Sequence, residues 1–186
     1  MIIKRPGEKA VVVQGTTWSP RTIPADASRE QLVRGRTASS VPSTLRVLDK
    51  AQRVFGSGEI TWAAAMQPAI EYAENGFIVG PFRYRSFHNY LDALREDPAA
   101  AAIFIRKDGS AYQAGDRFHQ PILAETLRRI ADDGAMDFYE GEIAELIAAD
   151  MQANHGWIRA ADLAGFPEPQ IVDAIRREYR GHTVET

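Results

Sequence analysis

Chemistry at neutral pH falls mostly to histidine, cysteine, paired carboxylates or an activated hydroxyl, and this sequence offers few of them in a working arrangement. His88, His119, His155 and His182 lie far apart, and none forms the His-x-x-x-His pair that brings two imidazoles to one helix face, so no zinc site is predicted. Cysteine is absent, which removes disulfides, thiolate metal sites and thiol nucleophiles together. Asp132-Asp133 and Glu140, Glu142 and Glu145 read as solvated helix faces with no neighbour placed to shift a proton equilibrium. The chain has no phosphate loop and no Gly-x-Gly-x-x-Gly. Phe82, Tyr84, Phe87 and Tyr90, with Leu91 and Leu94, would suit a stacking platform for bases, but aromatic residues at helical spacing are read as core.

Composition narrows the class further. The 186 residues have room for one domain with a normal core, and 45% hydrophobic with 25% charged residues is ordinary globular composition. A net charge of -3 with scattered arginines gives no basic field, so a nucleic-acid partner is not expected. No apolar run approaches the roughly 20 residues that span a bilayer. Lys4, Arg5, Glu8 and Lys9 stand where a signal peptide needs an apolar block, so the chain as given is expected to be soluble and cytoplasmic unless an export signal lies upstream.

The elements that would position any site can be read from periodicity. Thr61 to Val79 carries Trp62, Met66, Ala69, Ile70 and Ala73 along one helical stripe, with Thr61 as N-cap and Gly76 as the positive-φ residue past the end. Pro68 inside it costs roughly 3 kcal/mol relative to alanine, so that helix should bend or start late. Met1 to Gln14 reads as a hairpin turning at Arg5-Pro6-Gly7-Glu8, with Val11-Val12-Val13 as a buried central strand. Gly15 to Pro24 is an ordered loop, and Asp26 to Val33 a short helix with Leu32 and Val33 inward. A helix from Pro42 buries Leu45, Leu48, Ala51 and Phe55. Pro81 to Glu96 is helical, and Ala99 to Ala114 is a hairpin turning at Lys107-Asp108-Gly109-Ser110. Gln120 to Asp133 buries Leu123, Leu127 and Ile130, and about Asp137 to Asn154 buries Ile143, Leu146, Ile147 and Met151. Ala160 to Gly165 is a short helix holding Asp162 and Leu163, and the chain closes with strands Ile171 to Tyr179 and His182 to Glu185 about Arg180-Gly181. The sum is an α+β chain, helical in its middle with strands at both ends.

The run Gln67-Pro68-Ala69-Ile70-Glu71-Tyr72-Ala73-Glu74-Asn75-Gly76-Phe77 resembles a segment of the large subunit of gamma-glutamyltransferases, also called gamma-glutamyltranspeptidases. The likeness continues through Pro121 to Leu127 with Ile130-Ala131, Phe138-Tyr139-Glu140-Gly141 with Ile143-Ala144, Asp162-Leu163, and Tyr179-Arg180-Gly181. These pieces keep the family's order over roughly residues 10 to 184. The resemblance implies part of a four-layer αββα sandwich of the N-terminal-nucleophile hydrolase type, here a single incomplete domain over residues 1–186.

In the family, self-cleavage exposes a threonine whose own amino group serves as base and whose hydroxyl attacks the gamma-glutamyl amide of glutathione or a similar compound. That threonine lies beyond the segment resembling Tyr179-Arg180-Gly181, so the resemblance implies a partner, the small-subunit half that carries it, and no metal or organic cofactor. Thr183 and Thr186 lack the family's surroundings and are read as strand formers, so no catalytic residue is assigned within the chain. The family also uses an arginine near the start of the large subunit to grip the substrate's α-carboxylate with a bidentate guanidinium. One alignment puts Thr16 in that place, and a shifted one puts Arg21 there, with Pro24 and Ala25 as the Ala-Pro that follows. Arg21 is the substrate-binding candidate, and Thr16 as counterpart would point to a related acylase with another acyl donor. A non-catalytic scaffold that binds a partner is the further alternative. The valine strand and the last hairpin are expected to pair with strands the chain lacks, and open edges favour association.

Overall fold

A computed structural model describes residues 1–186. In chain order the strands are β1 (Ile2–Ile3), β2 (Val11–Val13), β3 (Phe77–Ile78), β4 (Arg117–Phe118), β5 (Ile171–Asp173), β6 (Arg176–Tyr179) and β7 (His182–Glu185). The α-helices are α1 (Thr44–Phe55), α2 (Trp62–Asn75), α3 (Pro81–Asn89), α4 (Leu91–Arg95), α5 (Pro98–Phe104), α6 (Pro121–Asp133), α7 (Asp137–Glu140), α8 (Glu142–Ala153) and α9 (Ala160–Ala164). Residues divide into two compact units, one of Met1–Trp62 with Asp132–Thr186 and one of Ala63–Ala131. No helix is long and apolar enough to cross a membrane.

In the first unit, β2 is the middle strand of an antiparallel sheet ordered β1-β2-β5, with Ile2 opposite Val12 and Val12 opposite Val172. The central position expected of the three valines is therefore found, and Val13 is buried with Val47 and Ala51 of α1. The chain leaves β2 directly over α1, so close that a Cβ on Gly15 would strike Val47. Ser43 Oγ donates to the Gly15 carbonyl at 2.9 Å and fixes that crossing.

A second cluster forms around Tyr139, which is fully buried among Val41, Ala144, Ile158, Leu163 and Phe166. Its hydroxyl donates to the Pro42 carbonyl at 2.8 Å and accepts the Arg46 backbone N–H at 3.3 Å. The Arg46 guanidinium lies 5.0 Å from the ring centre, a cation–π distance. Burial pushes the Tyr139 phenol above its ordinary pKa, so it stays a donor at any working pH.

Several expected elements differ in detail. The helix expected from Asp137 to Asn154 is two, because Asp137 Oδ1 folds over Gly141 and accepts the Glu142 N–H at 3.0 Å. That side chain caps α8, and a Cβ on Gly141 would collide with it. Asp26 to Val33 forms turns rather than a helix, and Val33 is 72% exposed. Adjacent apolar residues such as Leu32 and Val33 project about 100° apart on a helix and make no single face, so the reciprocal Ser28–Gln31 bonds of a capping box have no buried stripe to extend them. The helix ending near Gly156 stops as expected, with His155 in the left-handed region at φ 58° and Gly156 N–H bonded to Met151 carbonyl at 2.7 Å. Arg180 and Gly181 both have positive φ, the tight turn of the β6–β7 hairpin.

The second unit centres on Phe118 of β4. The rings of Tyr112, Phe87, Phe77 and Phe104 lie 5.1, 5.2, 5.7 and 5.8 Å from it, distances at which offset and edge-on arrangements are favourable. The core reading of the aromatic run holds for Phe87, whereas Phe82 is 85% exposed. Helix α2 runs from Trp62 through Pro68 to Asn75, so of the expected bend or late start the late start is not found, and it buries Ile70 and Ala73. The hairpin expected from Ala99 to Ala114 is replaced on its first arm by α5. Pro98 opens that helix, Asp97 Oδ1 accepts the Ala100 N–H at 3.0 Å, and the alanines that follow have the highest helix propensity. Only the turn survives, with an Ile105–Ala111 bridge and Gly109 at φ 80°.

The stripes of α1, α6 and α8 are borne out in part, since Ala51, Ile130 and Ile143 are buried as expected and Leu45, Ile147 and Met151 pack on the core cluster. Val47 and Ala51, Ala124 and Ile130, and Ile143 and Ala144 are buried, while Leu48, Leu123 and Leu146 are exposed.

Gly76 sits at φ 71°, and a Cβ there would lie 2.7 Å from the Phe118 carbonyl oxygen. Gly109, also at positive φ, has open space around it. Gly109→Ala is expected to cost about 1 kcal/mol from backbone strain alone, and Gly76→Ala roughly 2–3 kcal/mol because the β4 backbone must also move. Urea melts of the two variants measure the difference.

Candidate functional site

The loop after β2 is tied down at two points. Trp18 and Val41 exchange backbone hydrogen bonds, Val41 N–H to Trp18 carbonyl at 2.7 Å and Trp18 N–H to Val41 carbonyl at 3.4 Å. Three residues on, Arg21 N–H donates to Asp162 Oδ1 at 3.0 Å. Asp162 sits in the first turn of α9, where its Oδ2 accepts the Arg159 N–H at 2.8 Å. That cap satisfies one donor at the helix start, and the Asp162 side chain is only 6% exposed.

This anchor sets the direction of Arg21. Its guanidinium runs across Gly165 so closely that a Cβ there would collide with it, and its Nε stands 4.0 Å from Asp162 Oδ1. The side chain is 65% exposed and borders a cavity of about 390 Å³ whose walls include Thr22, Pro24, Trp157 and Arg159. Arg159 is occupied differently, donating from Nη1 to the carbonyls of Gly156 at 2.6 Å and Ile158 at 3.0 Å. The arrangement thus offers a guanidinium held by its backbone against a buried carboxylate, with its fork open to a cavity. Such a group binds a carboxylate bidentately.

Thr16 opens elsewhere. It lines a cleft of about 630 Å³ between Gly15–Trp18 and Phe166–Gln170. The two positions that sequence alignment makes alternatives for one role therefore face different cavities. The histidines are dispersed: His88 packs on Tyr84 at 5.7 Å in α3, His119 Nδ1 lies 3.3 Å from the Glu74 carbonyl, and His182 is in β7. No group of three or more histidine, aspartate or glutamate side chains is placed to hold a metal ion. Thr183 Oγ1 donates to Glu178 Oε1 at 2.7 Å across the β6–β7 hairpin.

A charged rim beside the cleft was not singled out in the sequence. Arg46, Lys50 and Arg53, spaced i, i+4 and i+7 on α1, converge on Glu168 at 3.7, 2.8 and 2.9 Å. That spacing is the signal that was available, since it puts all three on one helix face. Hydrogen bonds from Lys50 and then Arg53 hold the Glu168 carboxyl below its usual range, and Glu168 in return raises Arg53.

Because the folded value of Glu168 is depressed, its stabilising contribution is complete above the unfolded value of about 4.3 and is lost as pH falls through the folded value. Glu168→Gln is expected to lower the melting temperature at pH 7 and to converge on wild type as melts are run down towards about pH 3. Solvent screening keeps the effect below about 1 kcal/mol. Asp162→Ala has a larger expected cost, about 1–2 kcal/mol, because it leaves two part-buried N–H donors without their acceptors. Denaturant melts read this directly, and faster amide exchange at Arg21 and Arg159 is expected with it.

Comparison with known proteins adds the following. A family model described as gamma-glutamyltranspeptidase matches residues 1–186. The chain is 35% identical over 157 residues to a glutathione hydrolase proenzyme of Pseudomonas aeruginosa, covering 82% of this chain and 26% of that one. It is 33% identical over 159 residues to an acylase ACY 1 proenzyme of Pseudomonas sp. (strain SE83), covering 86% of this chain and 28% of that one. The structure superposes on the crystal structure of Helicobacter pylori gamma-glutamyltranspeptidase with a TM-score of 0.92 and 25% identity, over 100% of this chain and 55% of that chain. The chain thus spans about a quarter of the length of the curated relatives it matches. The α+β class of the N-terminal-nucleophile hydrolases, expected from the sequence, is the class of these structural neighbours.

Proposed function

This chain belongs to the gamma-glutamyltranspeptidase family, and we propose that it is the substrate-holding, large-subunit part of an enzyme that transfers or hydrolyses gamma-glutamyl groups of glutathione and related amides. In this reading the chain is an incomplete domain, completed by a small-subunit polypeptide that carries the nucleophilic threonine. The threonine Oγ bonds to the gamma-carbonyl carbon while its proton passes to the α-amine of the same residue and then to the departing amine. Water or an acceptor amine then attacks the acyl-enzyme and restores the hydroxyl.

The observation that carries this reading for the present chain is Arg21, whose exposed guanidinium borders a cavity while its backbone N–H is fixed on buried Asp162. Arg21 would hold the α-carboxylate of the donor, and a fixed carboxylate sets where the gamma-carbonyl lies. A related acylase is the second reading. It is favoured by the 33% identity to an acylase proenzyme and by Thr16 opening into a separate cleft.

The test co-produces the chain with a small-subunit segment bearing the threonine and assays gamma-glutamyl-p-nitroanilide. Arg21→Ala is expected to lower kcat/KM about 100-fold, the loss typical of removing a charge-assisted bidentate contact, with Arg21→Lys recovering only part. Equal rates in wild type and Arg21→Ala would remove Arg21 from the site.

A further inference from the structure

We propose that the second unit binds a medium-chain alkyl carboxylate, with its hydrocarbon in an apolar cavity between α5 and α6 and its carboxylate against the cations that flank Tyr112. The proposal is independent of the acyl-transfer reading and uses none of its residues.

Two cavities of about 400 and 420 Å³ adjoin in this unit, each within the range of about 300–1,000 Å³ found for small-molecule sites. Tyr112 lines both. Its ring is held edge-on to Phe118 at 5.1 Å and tilted on Phe87 at 5.8 Å, so the shared wall is fixed from behind. Arg117 borders one cavity and His119 the other. These two side chains start side by side, since Arg117 Cγ and His119 Nδ1 lie 3.0 and 2.9 Å from the point that a Cβ on Gly76 would occupy. The cavities are therefore neighbours.

Their chemistry differs. The first is walled by Ala102 and Ile103 of α5 and by Pro121, Ile122 and Leu123 of α6, and no lysine, arginine, aspartate or glutamate lines it. Ile122 is 71% exposed, apolar surface that a hydrocarbon chain would take out of water. The second sets Arg106, Lys107 and Arg117 against Asp108 and Asp116, an excess of cations. Both carboxylates are engaged. Asp116 Oδ2 accepts Arg106 Nη1 at 3.0 Å and the Gln113 N–H at 2.8 Å, and Asp108 Oδ1 accepts the Ser110 hydroxyl at 2.6 Å and its N–H at 3.0 Å. Lys107 and Arg117 have no carboxylate partner. Arg117 Nη1 donates to the Asn75 and Gly76 carbonyls, each at 3.2 Å, which holds the guanidinium in place without neutralising it. The Tyr112 hydroxyl has no protein partner either and can donate to an anion.

One molecule with two unlike ends meets both walls. Its chain loses water against α5 and α6, and its carboxylate meets the ammonium of Lys107 and the guanidinium of Arg117. A neutral chain gains only the first of these, and an alkylammonium would face a surplus of like charge.

Calorimetric titration of the 186-residue chain with hexanoate, octanoate, octanol and octylammonium, all below the concentrations at which they self-associate, tests this. Octanoate is expected to bind saturably, about tenfold tighter than hexanoate for its longer chain and about fivefold tighter than octanol for its charge. Octylammonium is expected to bind more weakly than octanol. Lys107→Gln is expected to weaken octanoate about threefold and leave octanol unchanged, and Ile122→Ser to weaken the two alike, about threefold or more. Both substitutions are at exposed positions, so thermal melts matching wild type are expected of each. The proposal is overturned by no saturable octanoate binding, by octanol or octylammonium binding as tightly as octanoate, or by an octanoate affinity that either substitution leaves unchanged. None of these readouts involves turnover or Arg21, so their failure leaves the gamma-glutamyl assay standing, and the converse holds too.

Discussion

A carboxylate taken out of water persists only where donors replace its hydration, and Asp162 meets that condition with two backbone N–H groups from different parts of the chain. One bond starts α9 and the other holds the loop that carries Arg21. The local cap and the long-range tie use the two oxygens of one side chain, so the start of the helix and the position of the Arg21 backbone are set together. Gly165, at the end of that helix, leaves room for Arg21 to lie over the chain. The backbone from which the Arg21 side chain projects is thus fixed, while its guanidinium stays 65% exposed.

The first unit repeats this logic at Tyr139. A phenol buried to completion must spend its hydroxyl on a partner, and it bonds to the segment just ahead of α1, at the Pro42 carbonyl and the Arg46 N–H. The ring meanwhile supports Phe166, which supports Trp18. One aromatic column therefore runs from the core to the cleft wall. Arg46 adds its guanidinium to the Tyr139 ring and faces Glu140 and Glu168 at 3.8 and 3.7 Å, so the charged rim and the aromatic column share a residue.

In this way the two cavities of the first unit acquire different characters from neighbouring residues. Trp18 and Arg21 lie three positions apart in one loop, and Gly165 and Phe166 are consecutive. On one side a guanidinium is left open because its near carboxylate is committed to backbone donors. On the other, the only lining carboxylate is engaged by cations from α1 beside an aromatic wall.

How much of this could be read from the chain follows from which interactions are local. Helix α2 with Gly76 at its end, the central valine strand, the Asp162-Leu163 helix and the Arg180-Gly181 turn were legible because periodicity and positive-φ requirements are written in adjacent residues. Family membership was legible for a similar reason, since ordered short segments survive in the sequence. Where two local rules competed, tertiary or side-chain bonds decided: Asp137 cut one helix into two, and Asp97 with Pro98 turned an expected strand into α5. The sequence by itself determined the element types, the absence of thiol chemistry and the candidates Thr16 and Arg21. Only the tertiary structure decided that those candidates face different cavities, that Glu168 is engaged by cations of α1, and that Leu48, Leu123 and Leu146 stay exposed. Those outcomes depend on groups brought together from more than a hundred residues apart, such as Arg21 with Asp162 and Lys50 with Glu168, and no local pattern encodes such a meeting.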